Sequence, residues 1–450
     1  MNSIKFYRSF LAICLLMAFF TGCKPRQVIS RAAVSDSLQK ATGFTLQPQS
    51  KPGTVSLPPQ VNAGDGLTEE EAVSVALWNN AQLQADLAAI AVSQADVTNA
   101  GIVSNPLIRY LAPSGGLNVS GYINFAFDFF FQRRQRIAAA QTDALRVAQT
   151  SLQRTYTLIR DVQVAYTDLL LSKERLAILR ENAQVRKAMA DLANSRLRNG
   201  DVSELEVVTF RADSASAQDD VVKAVLDTVV RKNSLAVLLG FSPDTVLTLQ
   251  PTTFFADSQK VVEQAYLQLA FDYQPELRAA QINMEAIGKR LGWERSRVIA
   301  FIPTLNYQHI PGNGGSKFLP NAFNPGIQVE IPFLNRNQGG IAKAKAELEA
   351  AAFQYVAIRQ RIALDVENAY RRYDQAWQSY QIWAGSTLPA LEEAVRLSQS
   401  SYRNGDIPYL PVLEAQRQLL NARLRRVEIQ ADIRRNVSAL NYSIGNKWNN

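Results

Sequence analysis

Two hydrophobic periodicities alternate along this 450-residue chain, one helical and one of period two. Between Arg133 and Arg198 there is neither proline nor glycine. Apolar residues such as Leu169, Leu176 and Leu179 recur seven and three apart with charged residues between them. That spacing places one apolar stripe along a helix. Some 65 residues at 1.5 Å each would reach roughly 100 Å, more than a globular core can use, so the pattern predicts a coiled-coil arm. Elsewhere Leu117, Val119, Ile123, Phe125, Phe127 and Phe129 alternate with Asn118, Ser120, Tyr122, Asn124, Ala126 and Asp128, and Gly121 is the one gap in the apolar register. This predicts a strand with one greasy and one wet face, paired with Pro106–Ala112 across Pro113–Gly116. A second pair is expected from Thr304–Ile310 and Gly326–Phe333, joined by a loop rich in Gly, Pro and Asn.

The pattern is written twice. Ser195–Gly240 aligns without a gap on Ser400–Gly445, at an offset of 205. Arg198-Asn199-Gly200-Asp201 recurs as Arg403-Asn404-Gly405-Asp406, Leu205 as Leu410, Val207 as Val412 and Gly240 as Gly445. Upstream, Asp161-Val162 and Ala165-Tyr166 return as Asp365-Val366 and Ala369-Tyr370, at an offset of 204. A tandem duplication of a helical unit follows: repeat one over residues 67–240, a connector over 241–262, repeat two over 263–445 and a tail over 446–450. Each repeat reads as an amphipathic helix, two strands, a very long helix, an Asn-Gly-Asp turn and a second long helix. The first helix of repeat one is expected over Thr68–Gly101, opened by a Thr68…Glu71 capping box; Val262–Arg297 is its counterpart. In repeat two, Gly385-Ser386-Thr387-Leu388-Pro389 predicts a break or kink, with Ser386 or Thr387 capping the restart.

The start of the chain changes the compartment. Lys5 and Arg8 precede the apolar run Phe10–Phe20, too short to span a bilayer, and Phe20-Thr21-Gly22-Cys23 ends it. Residues 1–22 read as an export signal and Cys23 as a lipidated first residue of the mature chain. Residues 23–66, rich in Pro, Ser, Gln and Gly, read as an extended linker lying on another surface. Losing the signal lowers the formal charge from +8 to +6, with no basic stripe for nucleic acid. Cys14 lies in the signal, and His309 is the single histidine. Zinc, triad and disulfide chemistry therefore have little raw material. An enzyme is the least supported class.

Exported strands between long helices suit a transmembrane barrel, apolar outward and polar inward. Four strands are too few to close alone, and open edges cannot exist in lipid. Several copies must pool their strands. Asn118, Asn124, Asp128, Asn306, Gln328 and Glu330 are then expected to line a wet lumen.

Taken together, the two repeats, the strand pairs, the long hairpins and their Gly-containing tips resemble the TolC family of outer-membrane efflux proteins over almost the whole mature chain. Ile331-Pro332-Phe333-Leu334-Asn335-Arg336-Asn337-Gln338-Gly339-Gly340 resembles the strand-to-helix junction of the branch paired with heavy-metal pumps. The resemblance implies a mainly α fold with a small transmembrane β part. It implies a homotrimer with a twelve-stranded barrel in outer-membrane lipid above a helical tunnel in the periplasm. A periplasmic adaptor and an inner-membrane RND-type pump are the implied partners, with no cofactor and no nucleic acid. The tips Arg198–Asp201 and Arg403–Asp406, with Leu205 and Leu410, are expected to contact the adaptor. Glu206 and Glu414 are expected to form a cation-drawing ring at the periplasmic mouth, although Pro411 and Thr209 occupy the complementary places. Asp161 and Asp365 are expected to be helix-surface pairing sites. The rival readings are the adaptor itself, which should show one hairpin flanked by soluble β domains, and a structural coiled-coil lipoprotein, which should lack membrane-inserted strands.

Overall fold

A computed structural model describes residues 30–46, 51–59, 61, 64–103, 105, 107–111, 119–124, 132–250, 263–296, 300–309, 321–330 and 333–445. Cys23, Asn118 and Asp128 lie outside the described residues. Two compact units interleave along the chain. The strand-bearing unit draws on Ala88–Thr150 and Arg278–Val356; the helical unit draws on Ala32–Leu87, Ser151–Leu277 and Ala357–Asn450.

In the helical unit the stretch expected to be extended linker contains α1, Arg31–Thr42. Val34, Leu38 and Thr42 are buried along one face, a stripe the linker composition concealed. Further on, Asn79 clamps the backbone of Ser56, accepting from its N–H (3.0 Å) and donating to its carbonyl (2.9 Å).

The capping box forms as expected: α2, Glu69–Asn79, starts with Glu71 N–H donating to Thr68 Oγ1 while Thr68 N–H donates to Glu71 Oε2. The single helix expected over Thr68–Gly101 is instead two, α2 and α3 (Ala81–Gly101), broken at Asn80. Asn80 Oδ1 accepts from Leu83 N–H (3.0 Å), and its Nδ2 donates to the carbonyl of Leu238 (3.0 Å). Repeat two breaks at the matching place, between α6 (Glu263–Tyr273) and α7 (Pro275–Ser296). There Gln274 Nε2 donates to the carbonyls of Tyr442 (3.0 Å) and Ser443 (3.2 Å). The repeated glycines explain these breaks. Gly240 and Gly445 both have positive φ (78° and 68°). A Cβ on Gly240 would meet the Asn79 carbonyl oxygen at 2.6 Å, and one on Gly445 would meet Gln274 Cα at 2.8 Å. The end of each repeat's last helix thus sits against the break in its first.

The long arm of repeat one is α4, Gln132–Asn199, a 68-residue helix; α5, Glu204–Leu238, returns from its tip. In repeat two, α8 (Gln338–Ile382) passes through a π-helical turn, Trp383–Thr387, into α9 (Leu388–Asn404), and α10 (Tyr409–Ile444) returns. The break expected near Pro389 is therefore a widened turn, and Thr387 provides no side-chain cap. Pro389 has no N–H for the α-helical bond to Gly385, while Leu388 N–H bonds Trp383, five residues back. A π turn absorbs one extra residue without rotating the helix beyond it. That residue is the step from offset 204 to offset 205.

In the strand-bearing unit, β1 (Leu107–Leu111), β2 (Val119–Asn124), β3 (Ala300–His309) and β4 (Asn321–Glu330) form an antiparallel sheet in that order. Strands β3 and β4 are longer than expected. Asn321–Pro325, read as loop from its composition, pairs with Leu305–His309, so pairing overrides local turn preference. The register puts positions 124, 306, 328 and 330 on one face with Ser120, Tyr122, Thr304 and Gln308. The other face takes positions Val119, Ile123, Phe301, Leu305, Tyr307, Phe323, Ile327 and Val329.

Candidate functional site

The residues singled out in the two Arg-Asn-Gly-Asp turns come together at the end of the helical unit. Each turn closes the same way. Asp201 N–H donates to the Arg196 carbonyl (2.9 Å) and Asp406 N–H to that of Ser401 (2.9 Å), the six-to-one bond that ends a helix through a left-handed residue. Gly200 and Gly405 supply that residue, at φ 81° and 87°. Nothing lies within 4 Å of a Cβ built on either, so the backbone angle alone calls for glycine. Arg198, Asn199, Asp201, Arg403, Asn404 and Asp406 are exposed around the turns. Leu205 and Leu410 are 77% and 72% exposed, whereas Val207 and Val412, two residues further on, are buried.

Beneath this exposed rim the two hairpins share one core. Met189, Ala190 and Ala193 of α4, Val207 and Phe210 of α5, Tyr402 of α9, and Tyr409, Val412 and Leu413 of α10 are all buried together. The rings of Phe210 and Tyr409 are 3.5 Å apart between centroids at 31°. Polar groups then cross between hairpins. The Tyr402 hydroxyl donates to Glu206 Oε1 at 2.9 Å. Burial first, and the neighbouring Glu206 second, raise the Tyr402 hydroxyl above its ordinary pKa, so it stays a donor. Arg196 lies over the Tyr402 ring, 4.9 Å from its centroid, and donates to the Arg403 carbonyl (3.2 Å). Below them, Asp213 accepts from Arg186, both side chains over 90% buried, and from Arg417 at 3.4 Å.

The two glutamates therefore differ. Glu206 is half-buried and bonded across to Tyr402, whereas Glu414 is exposed and accepts from Gln418 on its own helix (2.9 Å). Positions 124, 306, 328 and 330 lie in the strand-bearing unit, on one face of its sheet. Asp161 is paired as expected, accepting from Arg160 at 2.7 Å; Asp365 is exposed on α8.

Tyr402, Tyr409, Phe210, Arg186, Arg196, Asp213 and Arg417 were not singled out from the sequence. A signal was present. In the ungapped alignment of the repeats, Tyr402 stands opposite Leu197, Tyr409 opposite Glu204, Phe210 opposite Ala415 and Asp213 opposite Gln418. The groups that join the hairpins are places where the copies disagree.

The outer membrane efflux protein family matches this chain over residues 72–241 and 266–446, one stretch in each repeat. The chain belongs to that family. CzcC of Cupriavidus metallidurans, a cobalt-zinc-cadmium resistance protein, is 24% identical over 383 residues, covering 84% of this chain and 90% of that one. CusC of Escherichia coli O6:H1, a cation efflux system protein, is 23% identical over 357 residues, or 74% and 73% of the two chains. A crystal structure of CusC superposes with a TM-score of 0.72 at 18% identity, over 89% of this chain and 98% of that one. The shared fold is that of the long-helix outer-membrane channels. This family member is thus an outer-membrane efflux duct, the exit element of a tripartite system.

Proposed function

We propose that three copies of the chain close one conduit for metal cations, gated and docked at the hairpin tips. A four-stranded sheet has two open edges, β1 and β4, and unpaired edges are not tolerated in lipid. Joining three sheets edge to edge gives a twelve-stranded barrel with no edge left. Positions 124, 306, 328 and 330 then face the water column.

The observation that carries the tip assignment is the pairing of exposure with rigidity. Leu205 and Leu410 stand exposed on a backbone held by a buried aromatic core and a buried ion pair. Preorganised apolar knobs of this kind suit a helical hairpin packing end-on or alongside. The partner is a periplasmic adaptor that links this duct to an inner-membrane pump of the RND type. Arg198, Asp201, Arg403 and Asp406 form the polar rim of that contact. Glu414 supplies the cation ring: its carboxylate is exposed, and threefold symmetry would multiply it in a narrow mouth. Glu206 acts instead as the tie to Tyr402. A metal-cation cargo is supported by the names of CzcC and CusC and by the resemblance of the Ile331–Gly340 sequence to the heavy-metal branch.

Single-channel recording of the purified protein in planar bilayers tests the conduit. Cation-selective conductance is expected, and Glu414→Gln should reduce both selectivity and block by multivalent cations. Impermeable bilayers, or unchanged selectivity in the variant, would overturn the respective assignment. Site-directed cross-linking from Leu205→Cys and Leu410→Cys to the adaptor in whole cells tests docking, with Val230→Cys, exposed near the far end of α5, as the control.

A further inference from the structure

The strand-bearing unit carries a surface that conduction leaves unused. Between β4 and α8, Asn337 takes a left-handed conformation, φ 55°, and its Nδ2 donates to the Glu294 carbonyl (2.9 Å) and to Glu294 Oε2 (2.7 Å). Asn335 Oδ1 accepts from Asn337 N–H (3.0 Å), and Gln338 Oε1 accepts from Arg336 N–H (3.0 Å). A Cβ on Gly340 would meet Asn337 Oδ1 at 2.5 Å, so the loop is wedged tightly against α7. The wedge holds Phe333 and Leu334 outward, 79% and 85% exposed, with Arg336 exposed beside them.

The other strand-to-helix junction repeats this composition. Ile102 and Val103 are exposed where α3 leads into β1. The first turn of α4 holds Arg133, Arg134 and Arg136 and no acid, against the preference of a helix N-terminus for negative charge. Two of these arginines have a local task. Arg133 donates to the Gly101 carbonyl (2.7 Å), and Arg136 to those of Ala100 (2.9 Å) and Ile102 (3.0 Å), closing the end of α3. Arg134 is exposed and has no bonding partner among the described residues, and the same holds for the Arg336 side chain. Glu294, the acid that Asn337 binds, is buried. Among the described residues, Arg134 and the Arg336 side chain thus have no counter-charge.

Exposed apolar side chains next to unpaired arginines, at the helical ends of strands, match a bilayer interface. Acyl chains take the former and headgroup phosphates the latter. We infer that these junctions form a belt that binds the phosphates of anionic phospholipids in the periplasm-facing leaflet of the outer membrane. The belt rests on the reading that the strands span that membrane.

The test uses the full-length protein in neutral detergent, with phosphatidylglycerol or phosphatidylcholine of identical acyl chains added and retained lipid counted by native mass spectrometry. The native protein should prefer phosphatidylglycerol. Each interfacial arginine changes anionic-lipid partition about fivefold, so Arg134→Gln with Arg336→Gln should lower the preference by about 25-fold. Arg134→Lys with Arg336→Lys should keep most of it. Equal retention of the two lipids, an unchanged preference in the glutamine variant, or full displacement by millimolar inorganic phosphate would overturn the belt. Conductance in phosphatidylcholine bilayers separates the two readings. Channels that conduct but show no lipid preference sink the belt alone, whereas failure to conduct in any lipid sinks the duct and the belt with it.

Discussion

In the first hairpin α4 runs for 68 residues without interruption, whereas the matching rod of the second is α8, a π turn and α9. The backbones nevertheless meet again at the tips, where both turns close with the same bonds and the same left-handed glycine. The π turn reconciles these facts by taking up the extra residue of repeat two above the shared core. Below it, the copies diverge only in side chains, and the divergence is what couples them: tyrosines on one hairpin face a phenylalanine, a glutamate and an aspartate on the other. Two similar arms become one tip through the side chains in which they differ.

Deletions would break the comparison most severely. Removing Asn182 from α4 should rotate everything between it and the tip by about 100°, misplace Met189 and Ala193, and abolish folded protein in membrane extracts. Removing Ser386 should be far milder, because it restores offset 204 throughout, and its cost is that of holding Pro389 within an α turn, about 3 kcal/mol. Next comes Asp213→Ala, which leaves Arg186 buried and unpaired; a loss of about 4 kcal/mol is expected in denaturant unfolding. Gly240→Ala and Gly445→Ala should each cost about 3 kcal/mol, combining strain at positive φ with backbone collision, and near-equal values would sharpen the claim that the breaks are equivalent. Tyr402→Phe should cost about 1.5 kcal/mol through loss of one bond to a carboxylate and should raise the open fraction in single-channel records. The smallest effect belongs to Gly200→Ala and Gly405→Ala, about 1 kcal/mol from φ alone, since no atom lies nearby.

Much of this was legible in residue order because it depends on local rules. The helix of α4 follows from a long stretch free of Pro and Gly, the capping box from Thr68 and Glu71, and the turns from Asn-Gly. The alternation of β2 follows from its period of two, but positions 107 and 111 of β1 fall opposite Asn124 and Ser120, and position 302 of β3 opposite Gln328, so apolar positions share the polar face. What escaped depended on partners distant in sequence. Asn80 breaks a helix because Leu238 offers a carbonyl 158 residues away. Residues 321–325 become strand because Leu305–His309 pair with them. The stripe of α1 is short and diluted by Ser, Asp and Gln, and its buried face is evident only once packed.

The same division holds at the tip. Composition and periodicity by themselves determined long helices, glycine-containing turns and alternating strands, since each of those properties is a sum over neighbouring residues. Which glutamate is tied and which is free, and which arginine meets Asp213, only the tertiary structure decided. Those outcomes turn on distances of about 3 Å between helices of different repeats, and such distances arise only when the arms pack.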